Sequence, residues 1–238
     1  MGLLGNILFS MESSPLLKAA KNGKLDSVKE LHSTGSELDQ STRNGSTPLI
    51  IAAANDDIEM VKYLVTHGAA VNASTTLGGT ALNKAAANGN AEMVKYLFDN
   101  GVESKGLSLI FAAREGHSDI VEILLQHGAD VDVAQRWGRT ALMQAAREGH
   151  LAVVKQLLEA GANVRLKDKN GETALMIALD NDQIEIAQLL KESGAKVIKK
   201  KEDDPLLDDD VEDKEDLDDI TIEELDEIPE EDMDLEDD

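Results

Sequence analysis

Apolar positions along this chain follow a helical period, and the pattern restarts at a fixed step. In residues 139–162, RTALMQAAREGHLAVVKQLLEAGA, the side chains of Ala141, Leu142, Ala145 and Ala146 fall on one helical face. Val153, Val154, Leu157 and Leu158 repeat the i, i+1, i+4, i+5 stripe on a second segment. Gly149 breaks the chain between the stripes, and Gly161 ends the second one where a left-handed cap needs no Cβ. The spacing predicts two short antiparallel helices joined by a tight turn.

The same arrangement recurs at a 33-residue step. Thr47, Thr80, Thr140 and Thr173 open copies of it, and Ala52/Ala53, Ala85/Ala86, Ala112/Ala113 and Ala145/Ala146 follow. Gly68, Gly101, Gly128, Gly161 and Gly194 close them. Self-similarity at this period indicates stacked supersecondary units, none of which can bury its apolar face alone. Thr140 and Thr173 stand where a hydroxyl caps free N–H groups, and Ser14-Pro15 and Thr47-Pro48 put proline at a helix start. Gly45, Gly78, Gly138 and Gly171 each precede a repeat threonine position by two residues, where a finger turn needs a positive φ. Cap, turn and stop signals agree in phase, which is stronger than any single motif.

With Thr-Pro/Ala-Leu, Ala-Ala, Gly-His and Leu-Leu-x-x-Gly-Ala in this order, the chain resembles the ankyrin-repeat family over roughly residues 14–198. The resemblance implies a hairpin finger followed by two antiparallel helices in each unit. The expected fold is an all-α repeat solenoid of about six units, at about 14–39, 40–72, 73–104, 105–132, 133–165 and 166–198. Residues 1–13 form a leader and residues 199–238 a basic junction followed by an acidic, mostly disordered tail.

The end units deviate, as caps should. The first starts at Ser14 with no finger before it, and in the last Ala178-Leu179 replaces the alanine pair while Asp182 takes the place of the turn glycine. Inside the array, Gly101 and Gly128 are 27 residues apart, six short of the period, with the loss in residues 102–108. The fourth finger is therefore expected to be reduced or absent. This is either a tolerated deletion or a notch that admits a partner.

Charge adds a second feature. The net charge is −24, and residues 202–238 hold 23 acids and a single base, Lys214, which leaves the rest of the chain near neutral. Such a block repels itself and buries too little apolar surface to fold alone. Its bland role is solubility. Thr221-Ile222-Glu223-Glu224 has capping-box spacing, and Ile220, Ile222, Leu225 and Ile228 precede Pro229, which suggests a short recognition segment. The polyanion argues against direct nucleic-acid binding and for a basic protein surface as its partner, or for mimicry of nucleic acid. Lys199, Lys200 and Lys201 make too short a run for a convincing nuclear signal.

Little else suggests chemistry. The absence of cysteine excludes disulfides and thiol catalysis, and fits a cytoplasmic location with the nucleus as alternative. No run reaches transmembrane length. In the leader, Leu3, Leu4, Ile7, Leu8 and Met11 form a helical stripe suited to covering the first repeat, without the basic face of a membrane-surface helix. Gly2 invites myristoylation, but Asn6 stands where that motif has Ser or Thr. His67, His117, His127 and His150 occupy repeat turns, so structural roles are expected of them and no metal site; His32 alone makes none. No catalytic motif is present, and the expected protein is a monomeric non-enzyme without cofactor.

The resemblance implies that fingers and first helices bind partners, here through Arg43, Lys84, Arg114, Arg136, Trp137, Arg139, Arg147 and Lys169, interrupted by Glu115, Glu148 and Glu172. Trp137 has two readings, packing against the adjacent finger or serving as an exposed anchor. The expected function is a scaffold or adaptor for a protein partner, with the tail recruiting or modulating a basic one or folding back to compete for the basic patch. The alternative is an inhibitor or nucleic-acid mimic acting through the tail.

Overall fold

The computed structural model describes residues 14–103 and 107–196. The leader, Lys199 to Lys201 and the tail segment with Ile220, Ile222, Leu225 and Ile228 lie outside the described residues. The chain divides into two units, Met1–Lys199 and Lys200–Asp238, and the described residues belong to the first.

These residues hold twelve helices in six pairs: α1 (Pro15–Lys21) and α2 (Leu25–Ser33), α3 (Pro48–Ala54) and α4 (Ile58–Thr66), α5 (Ala81–Asn88) and α6 (Ala91–Asp99), α7 (Ser108–Glu115) and α8 (Ser118–Gln126), α9 (Ala141–Glu148) and α10 (Leu151–Glu159), α11 (Ala174–Asp180) and α12 (Ile184–Glu192). The first helices pack side by side in one row, and each also packs on its own second helix. The alanine pairs make this close approach possible: all eight, from Ala52 to Ala146, are fully buried. Leu64, Leu97, Leu124, Leu157 and Leu190, one on each second helix from α4 to α12 and all fully buried, pack in the core between the rows. Val153, Val154 and Leu157 are buried as their stripe requires, whereas Leu158 is only half-buried at its edge.

Hydroxyls cap the first helices as the sequence indicates. Thr47, Thr80, Thr140 and Thr173 Oγ1 accept from the N–H of Ile50, Asn83, Met143 and Met176 at 3.1 to 3.4 Å. Helix α7 is the exception, since it starts after Leu107 with no side-chain cap. Asp56 and Asp182 hold φ of 60° and 57° at the turn that glycine fills in the other units. Aspartate tolerates this region better than most residues.

Side chains then lock each unit to the one before it. Asn55 Nδ2 donates to the Ala20 and Lys21 carbonyls at 3.3 and 3.2 Å, and Asn88 Nδ2 to those of Ala53 and Ala54 at 3.1 and 3.3 Å. In the next two units histidine does this work: His117 Nε2 donates to Ala87 O at 3.2 Å and His150 Nε2 to Arg114 O at 2.9 Å. These bonds satisfy carbonyls left over at first-helix ends. On the outside, Lys62 joins α4 to α6 through Glu92 at 2.8 Å, a hydrogen bond that raises the lysine pKa above its ordinary value. Exposed as it is, the pair adds little to stability.

The turn glycines make this coupling testable. Gly116 holds φ +79°, and a Cβ there would stand 2.6 Å from His150 Nδ1, whereas a Cβ on Gly23, at φ +65°, meets nothing within 4 Å. Gly116→Ala adds a displaced histidine to the left-handed strain, for a loss of about 2 kcal/mol. Gly23→Ala suffers the strain alone. Urea midpoints of the two variants should separate in that order.

Candidate protein-interaction face

Four fingers, at residues 42–46, 75–79, 135–139 and 168–172, project between the helix pairs, and all share one hydrogen-bond pattern. The first residue's N–H donates to the fifth residue's carbonyl: Thr42 to Ser46 at 3.0 Å, Thr75 to Gly79 at 2.8 Å, Gln135 to Arg139 at 3.1 Å and Asp168 to Glu172 at 2.9 Å. The fourth residue, always glycine, donates back to the first carbonyl at 2.7 to 3.0 Å. Neighbouring fingers are joined at their tips, where Thr76 N–H donates to Asn44 O and Lys169 N–H to Trp137 O, both at 2.9 Å. That contact leaves no room for side chains. A Cβ on Gly45 would lie 3.1 Å from Thr75 Cα, and one on Gly138 3.2 Å from Asp168 Cα.

Between the second and third of these fingers the row is interrupted. The connection from α6 to α7 spans residues 100–107, eight residues, where the equivalent connections on either side span fourteen. Of its residues, 100–103 and 107 are described, and among these there is no finger turn.

Of the residues expected to bind a partner, Arg43, Lys84, Arg114, Arg136, Trp137, Arg147 and Lys169 are exposed, while Arg139 is half-buried. The structure brings four of them together. Trp137 is 64% exposed at its finger tip, between Arg136 and Arg139, and Lys169 Nζ lies 5.9 Å from its ring centroid. Its backbone carbonyl ties the adjacent finger, while its ring stays open. The other cations are more dispersed. Arg114 is held by Glu115 at 2.7 Å and Arg147 faces Glu148 at 3.8 Å, whereas Lys84 and Arg136 make no ion pair among the described residues.

Arg139 is already committed. Its Nε donates to Oδ2 of Asp168 at 3.3 Å, and the Asp168 side chain is 1% exposed. Asp168 Oδ1 in turn accepts from the N–H of Asn170 at 2.8 Å and of Glu172 at 3.1 Å. One carboxylate thus closes the last finger and fastens it to the one before. Lower down, Asp39 accepts from Ala70 N–H, Asn72 from Glu103 N–H and Asp132 from Asn163 N–H at 2.9 to 3.0 Å. These staples recur with the repeat, so the Asp or Asn three residues before three of the four fingers was the available signal.

The turn histidines serve the stack. His67 and His127 Nδ1 lie 2.7 and 2.8 Å from the Tyr63 and Ile123 carbonyls of their own helices, and His32 Nδ1 lies 2.9 Å from the Tyr63 hydroxyl. Among the described residues no group of three or more His, Cys, Asp or Glu could hold a metal ion, and no helix is long and apolar enough to cross a membrane. The Oε1 atoms of Gln144 on α9 and Gln156 on α10 are buried without a hydrogen-bond partner.

A stack of helix pairs with paired finger tips and a mixed cationic and aromatic edge defines a repeat protein of the interaction-module class. The chain belongs to the ankyrin-repeat family: the family profile described as ankyrin repeats in three copies matches residues 16–106 and 109–201. The repeats of this family are generally non-enzymatic protein–protein interaction modules. The human ASB11 ankyrin repeat domain is similar at 30% identity and a TM-score of 0.68, over 77% of this chain and 85% of that one. An ankyrin repeat domain from Acinetobacter baumannii is similar at 33% identity and a TM-score of 0.66, over 76% of this chain and 98% of the other. No curated protein sequence gives a significant match.

Proposed function

We propose that this protein is a scaffold or adaptor that binds a protein partner through its fingers and first helices, with Trp137 as the anchor. The observation that carries this reading is the open indole at a finger tip, 64% exposed beside Arg136 and Lys169. Tryptophan and arginine dominate the energetics of protein interfaces. Arg43, Lys84, Arg114 and Arg147 extend the cationic face, and Arg139 holds the anchor's finger in place.

Trp137→Ala should weaken a captured partner at least about tenfold while the helical circular dichroism stays unchanged. Unchanged affinity in a binding titration rejects the anchor. To obtain the partner, pull-downs with the full chain, residues 1–201 and residues 202–238 are compared by mass spectrometry. The same comparison addresses the tail, for which the segregation of 23 acids into residues 202–238 favours a second reading. An adaptor's repeats bind alone, with the tail adding a basic partner, whereas an inhibitor or nucleic-acid mimic works through the isolated tail.

A further inference from the structure

We propose that Asn170 is a self-modification site: the backbone nitrogen of Gly171 displaces its side-chain amide, and the product loosens the finger row where Trp137 is presented.

The chain contains five Asn-Gly pairs, at Asn22, Asn44, Asn88, Asn100 and Asn170. In such a pair no Cβ shields the nitrogen of the second residue. When that nitrogen bonds to the asparagine Cγ, the Cγ–Nδ2 bond breaks and a succinimide ring closes. The proton of the attacking nitrogen leaves with the departing ammonia. Water then opens the ring at either carbonyl, to aspartate or to isoaspartate, whose main chain runs through Cβ. Nothing is oxidised or reduced, and water is the co-reactant.

All five asparagines are exposed, so exposure does not rank them. Every glycine N–H is hydrogen-bonded within its turn: Gly23 to Ala20 O, Gly45 to Thr42 O, Gly89 to Ala85 O, Gly101 to Phe98 O and Gly171 to Asp168 O. Ring closure therefore requires a local opening. What differs is the hold on the side chain. Asn88 Nδ2 donates to two carbonyls of the preceding unit, and Asn100 Nδ2 to Tyr96 O at 2.8 Å. Asn44 Oδ1 accepts from Ser46 N–H at 3.2 Å and from the Thr42 hydroxyl. The side chains of Asn22 and Asn170 make no hydrogen bond among the described residues.

The turns of these two differ in turn. Asn22 closes α1, where its N–H donates to Lys18 O and that of Lys24 to Ala19 O, so opening it unwinds a helix end. Asn170 stands at a finger tip. The third residues of the four fingers are Asn44, Leu77, Trp137 and Asn170, so only the outer two carry the pair. Leu77, 90% exposed, and Trp137 have no amide to lose. The finger of Asn44 is backed by the next one, since Thr76 N–H donates to Asn44 O and a Cβ on Gly45 would meet Thr75 Cα. No finger follows Asn170 among the described residues, and a Cβ on Gly171 meets nothing within 4 Å. The backbone bonds within its turn all involve Asp168, which accepts from the N–H groups of Asn170, Gly171 and Glu172.

Conversion puts a carboxylate beside Lys169, whose N–H holds the Trp137 carbonyl. Isoaspartate also adds a backbone atom to the finger. On the reading that Trp137 anchors a partner, this is a slow, one-way loss of the anchor's support; the site itself is read without any partner.

The full-length protein is aged at mildly alkaline pH and physiological temperature, and conversion is followed by peptide mass mapping with isoaspartyl methyltransferase labelling. Asn170 should convert first, at least about tenfold ahead of Asn44, Asn88 and Asn100, and ahead of Asn22. Asp168→Ala should speed Asn170 at least about tenfold, and Asn88 less. In the aged protein the Lys169 amide hydrogen should exchange at least about tenfold faster, and ageing of Asn170→Gln should leave it unchanged. Equal rates at the five pairs, another pair ahead of Asn170, or no response to Asp168→Ala overturns the site. Where Asp168→Ala does not fold, the order in the unaltered protein decides. An unchanged Lys169 amide after complete conversion overturns the loosening of the finger row.

Discussion

Leu124→Ala should lower the stability of the protein by about 3 kcal/mol, in the middle of the range for emptying a buried leucine site. Leu124 is fully buried on α8, and that helix packs on α7, α6 and α10. Repeat stacks are held by nearest-neighbour interfaces, so a cavity in an internal unit weakens the interfaces on both of its sides. Leu190 occupies the equivalent place on α12, equally buried, but α12 packs mainly on α11 and α10. Leu190→Ala should therefore cost less than Leu124→Ala. Urea denaturation followed by circular dichroism reads both, and the internal variant should also lower the m-value as the stack separates into halves. Equal losses with equal m-values would show that burial is not organised by neighbouring units.

The groups that repeat were the groups that could be read. The alanine pairs, the capping threonines and the finger glycines answer to constraints acting within one unit: close helix approach, free N–H groups at a helix start, a positive φ at a tight turn. Their recurrence from Thr47 to Gly194 made each copy a control for the next. Counting also located the shortened connection, because Gly101 and Gly128 stand 27 residues apart instead of 33.

Other features arise between units. Arg139 has the composition of a binding cation, yet it spends its charge on Asp168, 29 residues away, and only the stacking of two fingers brings them together. Asp168 stands in the finger position held by Thr42, Thr75 and Gln135, so no recurrence marked it. Leu77 was missed for a different reason. Trp137 drew attention by residue type, but aligning the tips shows that leucine and tryptophan replace asparagine on both sides of the interruption. The repeat identifies such positions when its copies are compared for what differs. Function in a repeat protein is carried by those differences, since the shared residues are consumed by the stack.

Asp168→Ala is the sharpest test of that division between stacking and binding, and should cost about 2 to 3 kcal/mol. Removing the carboxylate strips the acceptor from the N–H groups of Asn170 and Glu172 and from Arg139 Nε. The loss falls at or below the low end of the cost of breaking a fully buried pair, because the Arg139 side chain is 27% exposed and water can reach it. Asp168→Asn retains an oxygen for the two backbone donors and loses mainly the charge opposite Arg139, so about 1 kcal/mol is expected. Thermal or urea unfolding ranks the three proteins, and hydrogen exchange should place the damage in residues 135–139 and 168–172. Those segments share the bond from Lys169 N–H to Trp137 O. Loosening it releases the finger that presents the indole, so Asp168→Ala should also weaken the partner that Trp137 anchors, although Asp168 is too buried to touch it. A variant that loses stability and keeps full affinity would show that the anchor's finger holds its shape without this carboxylate, and would leave Asp168 a purely architectural residue.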